Sequence, residues 1–473
     1  MTDARSVARV AIVGAGISGL AAANRLLEIS TERGVPIEAV VLEASDRFGG
    51  VISTIRRDGF LLEEGPDSIL TEKPWAHELA ARIGLSEHLI PTLATHRRSF
   101  VVCKGRLEAA PVGFQLVAPA RIGPVLRSRI FSPLGKLRMG LDLILPKRPP
   151  AGDESVAAFV RRRLGREVLE RIAEPMIAGI YGADPEALSA RATIPRFLAM
   201  EQAHGSIIRA MLAARSAGGD RAGGARYGLF VTLDTGLQSL TEALASRLPA
   251  SWVRLGARVS RLSPRSGSGW ILHAGRSEET FDAVVLALPA HAAADLTETF
   301  DADLARMLAS IDYGSAVTVS LGFRSRDIRH PMDGFGFVAP AIERMGILGC
   351  TFGHMKYAGR APEGHALLRV FMGGEMIART DEQIAQRALV PLRTLLGIAV
   401  PPIFAHVARW PRAMARYAVG HLDLVERIEE RLGTHPGLAL AGNAYRGIGI
   451  PDCVRSAEAA AQHIAAELFA SPS

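Results

Sequence analysis

Three glycines near the start of the chain have the spacing of a loop that binds a dinucleotide. Gly14, Gly16 and Gly19 follow the apolar run Val10–Val13 and precede a helical pattern that starts at Leu20. The first glycine permits a tight turn, the second lets a pyrophosphate approach the backbone, and the third lets helix and strand pack closely. The chemistry predicted from this spacing is therefore the binding of a dinucleotide cofactor.

The first helical turn and an acid after the next strand complete this predicted site. The N–H groups of Ile17 and Ser18 belong to that turn, where the partial positive charge of a helix N-terminus favours phosphates. Glu43, followed by Ala44, ends an apolar strand close to the ~20 residues past the last glycine expected of an acid that binds ribose hydroxyls. A βαβ unit without a nucleotide is the alternative interpretation.

A second glycine segment distinguishes flavin-type proteins from ordinary nicotinamide dehydrogenases. Gly49 and Gly50 permit another close backbone approach, and Arg47 can neutralise a phosphate or hold the ribitol region. Gly65 and Pro66 follow a short apolar run. Together these motifs resemble the flavin-containing amine oxidoreductase superfamily, whose members show GxGxxG, a terminal acid, RxGG and a downstream GP.

The elements that position these motifs predict an α/β protein with two or three domains, because 473 residues exceed one ordinary core. We expect a discontinuous Rossmann-like FAD-binding domain, a mixed-sheet substrate domain and a helical domain. Their expected pieces are 1–92, 216–295 and 409–473 for FAD binding, 93–112 and 296–408 for substrate, and 113–215 for the helical domain. Val253–Leu262 is predicted as one strand, in which the backbone of Val259 can meet the adenine.

The expected helical domain has an unusual charge balance. Between Gly113 and Pro150 there are seven basic residues against one acid, Asp142, with apolar pieces among them. A solvated helix pair and a surface that contacts an anionic membrane stay open as alternatives. Further on, Glu174–Pro185 is predicted to end a helical run in a loop of small residues.

The C-terminal region repeats the opening pattern of strand, glycine turn and helix. Gly442 follows the strand Leu438–Ala441, and the long helix follows a second glycine-rich stretch. The backbone N–H groups of Ile448, Gly449 and Ile450 are predicted to hold the pyrimidine end of a flavin, whose reduced form the helix dipole favours.

The order of several longer motifs resembles the family of oxygen-dependent protoporphyrinogen oxidases. These motifs are AGIYGADP, GNAYRGIGIPDC and the stretch from Arg409 through Trp410 to Tyr417, followed by Gly420 and His421. The resemblance runs nearly end to end. It implies FAD as cofactor, with Trp410 near it, and oxidation of protoporphyrinogen IX to protoporphyrin IX in heme biosynthesis. Hydride passes to flavin N5, so no catalytic side chain and no metal site are assigned, and oxygen reoxidises the flavin.

The resemblance also implies a set of substrate contacts. Arg98 matches a propionate-binding arginine, and Phe371 matches an aromatic that packs on a pyrrole ring. Val338 and Thr351 fall where the family has aliphatic residues on the other side of the macrocycle, and Thr351 departs from that pattern. The implied small-residue segment near the flavin consists of Ala178 and Gly179.

Other functions stay open at this point. Close relatives in the family use coproporphyrinogen, whose four propionates favour a more cationic pocket, and Arg97 beside Arg98 does not decide between the substrates. An FAD-dependent amine oxidase is a second alternative, although Tyr445 is the single aromatic of the C-terminal turn where such enzymes present two. A non-catalytic flavin-binding assembly or membrane factor is a third.

Composition narrows the setting of the protein. The formal charge is +7, but the basic residues follow no nucleic-acid module, so no nucleic-acid partner is expected. Cys103, Cys350 and Cys453 are odd in number and widely spaced, which is typical of a reducing compartment. No apolar stretch reaches the ~18 residues of a spanning helix. We expect a cytoplasmic protein, peripheral on the membrane if the basic surface binds it, and the resemblance implies a loose homodimer.

Overall fold

The computed structural model describes residues 7–95, 98–149, 152–216 and 230–469. Arg97 lies outside the described residues, and so do residues 217–229, which come soon after the expected domain boundary at residue 215. Among the described residues the strands are β1 (Ala8–Val13), β2 (Ile37–Leu42), β3 (Thr54–Arg57), β4 (Phe60–Glu63), β5 (Ile69–Leu70), β6 (Leu89–Pro91), β7 (Phe100–Cys103), β8 (Arg106–Ala109), β9 (Phe114–Gln115), β10 (Ala118–Pro119), β11 (Phe230–Leu233), β12 (Val253–Arg254), β13 (Val259–Pro264), β14 (Trp270–Ala274), β15 (Ser277–Phe281), β16 (Ala283–Leu286), β17 (Tyr313–Arg324), β18 (Gly336–Val338), β19 (Gly349–Phe352), β20 (His365–Gly373), β21 (Phe404–Ala415) and β22 (Leu438–Leu440).

The helices connect and cover these strands. In the same described residues they are α1 (Ile17–Arg33), α2 (Trp75–Arg82), α3 (Ile122–Arg127), α4 (Pro133–Gly140), α5 (Val156–Arg163), α6 (Arg166–Val168), α7 (Glu174–Tyr181), α8 (Ala190–Thr193), α9 (Pro195–His204), α10 (Ile207–Ser216), α11 (Gln238–Arg247), α12 (Ala290–Thr297), α13 (Ala302–Ala309), α14 (Gly353–Lys356), α15 (Asp381–Leu396), α16 (His421–Leu432) and α17 (Ile450–Phe469). A single π-helical turn, Leu169–Ala173, joins α6 to α7.

A five-stranded parallel sheet forms the centre of the nucleotide-binding part, in the order β12-β2-β1-β16-β22. The central residues of β1, β2 and β16 are apolar and buried because helices and further strands cover both faces of the sheet. Val10 and Ile12 of β1 pack with residues of α1 and α17, whereas Ala11 and Val13 pack with α12, α13 and the β13–β15 meander. The sheet confirms the α/β class predicted from the apolar runs.

A seven-stranded mixed sheet, in the order β21-β17-β20-β19-β18-β7-β8, forms the second layer of the protein. Its neighbours pair antiparallel except β18 and β7, which run parallel. One face is buried under α15, where Val319, Leu368 and Val370 pack against Ile384 and Leu392. The opposite face turns toward the nucleotide-binding part. Strand β21 crosses the expected boundary between 408 and 409, and the domain limits stay a prediction.

The helical part of the chain has its own core around a buried ion pair. Arg163 and Asp142 are both fully buried, and Nε of Arg163 donates to the Asp142 carboxylate at 2.6 Å. The same carboxylate accepts from the Ser206 hydroxyl and from the Ile208 backbone. Because these bonds satisfy the carboxylate, the one acid of the basic segment 113–150 is not available to the surface. No helix in the described ranges is long and apolar enough to cross a bilayer.

Two local predictions were wrong. Val253–Leu262 is not one strand, because Gly256 takes a left-handed φ of 67° and divides it into β12 and β13, which belong to different sheets. The predicted loop Glu174–Pro185 contains helix α7. Pro175 occupies the first turn, where its missing N–H is harmless, and Gly182 ends the helix with a φ of 58°, so both residues act as helix boundary signals.

Candidate functional site: a cofactor cleft beside a sheet face

The predicted nucleotide site lies at the carboxyl ends of three neighbouring parallel strands. The turn at Gly14 follows β1, the turn at Ala287 and Leu288 follows β16, and the turn at Gly442 follows β22. A Cβ atom on Gly14 would lie 2.6 Å from the Ala287 carbonyl oxygen, and one on Gly442 would lie 3.7 Å from that of Leu288. The three turns therefore converge at the edge where open α/β sheets bind ligands.

The two glycine loops, at Gly14–Gly19 and at Gly49–Gly50, contact each other. The N–H of Gly49 donates to Ala15 O at 2.8 Å, and a Cβ on Gly50 would lie 3.4 Å from the Cα of Gly16. A Cβ on Gly19 would lie 1.8 Å from the Gly14 carbonyl oxygen, so this glycine is required for packing. A Cβ on Gly16 would meet no protein atom within 4 Å. This open approach at the start of α1 suits a phosphate.

Glu43 stands directly beside the first glycine loop. Its Oε2 accepts from the N–H of Ala15 at 2.7 Å, and Oε1 accepts from the N–H of Ser45 at 2.9 Å. The carboxylate is thereby oriented at the edge of the cleft, while the following Ala44 is exposed. Arg47 folds over its own loop, where its guanidinium donates to the carbonyl oxygen of Gly50 at 2.5 Å.

The first turn of α1 and the start of β13, where the adenine is expected, lie beside the same glycine loop and acid. Ile17 and Ser18 are both buried in the first turn of α1, whose backbone N–H groups have no partner within a helix. Val259 begins β13, and the preceding segment runs along the cofactor edge, since Ala257 N donates to Glu43 O at 2.7 Å. The segment before Val259 thus runs beside the acid, and contact of the Val259 backbone with the adenine stays a prediction.

Residues 64–67, which include Gly65 and Pro66 and are called the cofactor segment below, join the two layers of the protein. A Cβ on Gly65 would lie 1.8 Å from the Val51 carbonyl oxygen, so the segment packs tightly on the second glycine loop. On its other side, the indole N–H of Trp410 donates to Glu64 O at 2.8 Å. Trp410 thus holds the cofactor segment against the seven-stranded sheet.

The C-terminal turn places Ile448, Gly449 and Ile450 at the start of α17. Asp452 lies in its first turn with 4% of its surface exposed, and Lys73 donates to that carboxylate at 2.6 Å. This pair was not predicted from the sequence, because the two residues are far apart in the chain. The helix end therefore carries an acid and a compensating cation beside the expected pyrimidine position.

Three predicted substrate residues share one face of the seven-stranded sheet. Val338 and Phe371 both pair with Gly349, from its two sides, so their side chains lie on the same face of the sheet. Thr351 lies two residues beyond Gly349 on β19 and therefore points to the same side. This face is opposite to the one that α15 buries. The side chains of Val338, Thr351 and Phe371 are each partly exposed, as contact with a ligand requires. These three residues are called the substrate wall, or the wall, below.

Helix α7 supplies the predicted small residues, and it contacts β18. A Cβ on Gly179 would meet no protein atom within 4 Å, and Ala178 is partly exposed beside it. Arg98 lies apart from this group. Its guanidinium pairs with Asp333, and it lies 5.8 Å from the ring of Phe100, which belongs to the opposite, buried face.

A buried charge network beside the wall was missed from the sequence. Arg369, two residues before Phe371, is 6% exposed, and its partner Asp67 follows Pro66. Burial raises the pKa of Asp67, but the charges of Lys356 and Arg369 outweigh it and hold that pKa below its ordinary value. The sequence did contain a signal for this network, because Arg369 lies within the apolar stretch HALLRVFMG. A buried arginine is rarely without a partner, so its position in this stretch indicates a buried acid nearby.

The chain's own residues fit FAD. Glu43 follows β2, the open approach at Gly16 follows β1, and the helix start at Ile450 comes after β22, so these groups follow the strand order of the sheet. This order matches the sequence ribose, pyrophosphate and flavin in FAD. Among the described residues, several buried side-chain polar atoms have no hydrogen-bond partner, and Nε of Arg369 and the hydroxyl of Tyr445 are two of them. A polar cofactor or substrate supplies acceptors and donors for such groups.

The fold and this cleft define an FAD-dependent oxidoreductase with a separate substrate sheet. Residues 17–465 match the family model described as flavin containing amine oxidoreductase, and the chain belongs to this family. It is 35% identical to coproporphyrinogen III oxidase of Bacillus subtilis, over 99% of this chain and 100% of that protein. It is 31% identical to the chloroplastic protoporphyrinogen oxidase of Oryza sativa, over 98% and 89%. A solved structure described as a "Putative protoporphyrinogen oxidase" of an Exiguobacterium species superposes with a TM-score of 0.86 at 32% identity, covering 98% of this chain and 99% of that one.

Proposed function

We propose that this protein oxidises a porphyrinogen to the aromatic porphyrin, with FAD as electron acceptor and O2 as the oxidant that restores it. Protoporphyrinogen IX is the substrate predicted from the sequence. The observation that carries the proposal is the shared face of Val338, Thr351 and Phe371, which turns toward the cofactor segment at Gly65. The similar proteins named protoporphyrinogen oxidase and coproporphyrinogen III oxidase support it.

The residues of the wall suit a large, mostly apolar macrocycle. Phe371 offers a ring for packing on a pyrrole, and Val338 offers an aliphatic surface. Gly179 leaves room at the open side of α7 for a carbon atom of the macrocycle to come close. Bound FAD supplies the hydride acceptor, and the chain orients the substrate and excludes water.

Coproporphyrinogen III is the second candidate substrate, because the Bacillus subtilis relative at 35% identity carries that name. Anaerobic mixing of the yellow protein with each porphyrinogen, while the flavin band is followed, separates the two. Bleaching by protoporphyrinogen supports the predicted substrate, and faster bleaching by coproporphyrinogen supports the second. Bleaching by neither would refute the proposal and return an amine oxidase or a non-catalytic flavoprotein to consideration.

We also propose that the surface of α3 and α4 contacts an anionic membrane from the cytoplasmic side. Leu126 is 61% exposed, Leu134 78%, Leu137 67% and Ile144 78%, on a segment whose one acid is buried. Each basic residue near lipid headgroups contributes about 1 kcal/mol. Sedimentation with vesicles that contain phosphatidylserine tests this contact against vesicles of phosphatidylcholine alone.

We also propose that the protein forms a homodimer, and analytical ultracentrifugation measures its oligomeric state.

A further inference from the structure

Arg369 lies between the two halves of the site. It is in the middle of β20, directly opposite Thr351 on β19, and alternation along the strand places it on the same face as Phe371. Its guanidinium carbon lies 4.9 Å from the centre of the Phe371 ring. An arginine is thus stacked beneath the aromatic residue of the predicted substrate wall.

The same guanidinium binds the cofactor segment. Its Nη2 donates to the carbonyl oxygen of Gly65 and, at 3.3 Å, to that of Glu64. Nη1 lies 3.8 Å from the Asp67 carboxylate, so both ends of the segment are held. With 6% of its surface exposed, Arg369 cannot exchange these acceptors for water without moving the segment.

Two further side chains converge on the same carbonyl oxygen of Glu64. The hydroxyl of Thr318 donates to it at 2.9 Å and the indole of Trp410 at 2.8 Å. Thr318 lies opposite Phe371 in the pairing of β17 with β20. Donors from three strands of the substrate sheet therefore fix one point of the cofactor segment, and Arg369 additionally contacts the wall.

We infer that Arg369 is a positioning residue that sets the distance between the bound flavin and the substrate wall. It does so by tying the carbonyl groups of Glu64 and Gly65 to the ring of Phe371. The consequence for turnover rests on the proposed function, whereas the consequence for the flavin environment does not. Since reaction rates fall about 100-fold for a misplacement near 1 Å, a small displacement of the segment is measurable.

Arg360 offers a matched control. It is 3% exposed, and it donates to the hydroxyl of Thr232 at 3.0 Å and to Leu233 O at 2.8 Å. It is equally buried and equally close to a carboxylate, that of Glu63 at 3.8 Å. Among the described residues its guanidinium bonds to Thr232, Leu233 and Asp234 and pairs with Glu63, but it bonds neither to the segment Glu64–Gly65 nor to the wall.

The experiment compares Arg369→Lys with Arg360→Lys in the FAD-loaded protein. A lysine keeps the charge but lacks the planar fork that reaches two carbonyl groups. We expect Arg369→Lys to lower kcat at least about tenfold with KM within about threefold, and to change the visible circular dichroism of the flavin. Arg360→Lys should leave both unchanged. Thr318→Val, which removes one donor to the same carbonyl, should change both in the same direction to a smaller extent.

Several outcomes would overturn the inference. These are wild-type kcat and dichroism in Arg369→Lys, a loss of kcat without a change in dichroism, or equal effects in Arg360→Lys. If Arg369→Lys does not fold, an unchanged flavin dichroism in Thr318→Val overturns it. Failure of the wild type to oxidise any porphyrinogen refutes the proposed function alone, and the dichroism comparison still decides the role of Arg369.

Discussion

Substitution of two neighbouring glycines by alanine separates cofactor binding from folding. At Gly16 the backbone φ is −72°, which any residue adopts, and a Cβ meets no protein atom within 4 Å. At Gly19 the same added carbon would lie 1.8 Å from the carbonyl oxygen of Gly14. The structure therefore predicts that Gly16→Ala folds and binds FAD more weakly, whereas Gly19→Ala is destabilised with or without FAD.

The expected magnitudes follow from these contacts. An alanine in place of glycine at a helix N-cap costs about 1 kcal/mol or less. Loss of one hydrogen bond to a charged phosphate costs about 1.5 to 3 kcal/mol, so FAD should bind Gly16→Ala roughly 10- to 100-fold more weakly. Overpacking at Gly19 should destabilise the fold by about 3 kcal/mol or more, because backbone rather than a flexible side chain is in the way.

The assay is a titration of flavin-free protein with FAD, followed by the Tm with and without the cofactor. FAD at 100 times its wild-type Kd stabilises the wild type by about 2.7 kcal/mol, and the same concentration should stabilise Gly16→Ala by only about 0.4 to 1.4 kcal/mol. Its Tm without FAD should remain close to that of the wild type, in contrast to Gly19→Ala. Wild-type FAD affinity in Gly16→Ala would refute the placement of the pyrophosphate at this loop.

Three further predictions concern other parts of the molecule. Arg98→Ala tests the propionate role expected from the sequence: KM for the porphyrinogen should stay within about twofold if Arg98 serves only its pair with Asp333, and a severalfold rise would support the propionate role. Burial raises the pKa of Asp301, but hydrogen bonds from its basic partners outweigh burial and hold that pKa below its ordinary value. Asp301→Asn should therefore lower the free energy of unfolding at pH 7 by about 2 kcal/mol. The difference in Tm should begin to narrow below about pH 4, where the carboxylate of the unfolded chain protonates, and close at lower pH, where the folded one does. Replacing Leu134 and Leu137 together by serine should weaken sedimentation with anionic vesicles at least about tenfold; undiminished binding would exclude this face.

Much of the cofactor site could be predicted because its constraints are local. Gly14, Gly16 and Gly19 must satisfy one turn and one helix start within six residues, so their types and spacing alone indicate the loop. The limits of helix α15 are equally local, since Thr380 caps it and Gly397 ends it. The family resemblance also indicated Phe371, Val338 and Thr351, whose common face agrees with their proposed role.

Nonlocal contacts decide what the sequence alone left open or gave wrongly. The propionate role of Arg98 stays a prediction, and the structure adds that its guanidinium pairs with Asp333, distant in the chain, and lies near Phe100. The stretch Glu174–Pro185 has the composition of a loop, yet packing against the buried core of the helical part makes its first eight residues a helix.

The sequence by itself determined the α/β class, the FAD loop and the family, because each depends on residues close together in the chain. The tertiary structure alone decided which distant groups meet. Arg369 reaches Gly65 across 304 positions, and Lys73 reaches Asp452 across 379. Such pairs leave little signal in a single sequence. Removing both groups from water costs free energy, and their attraction offsets this cost only after the fold has brought them together.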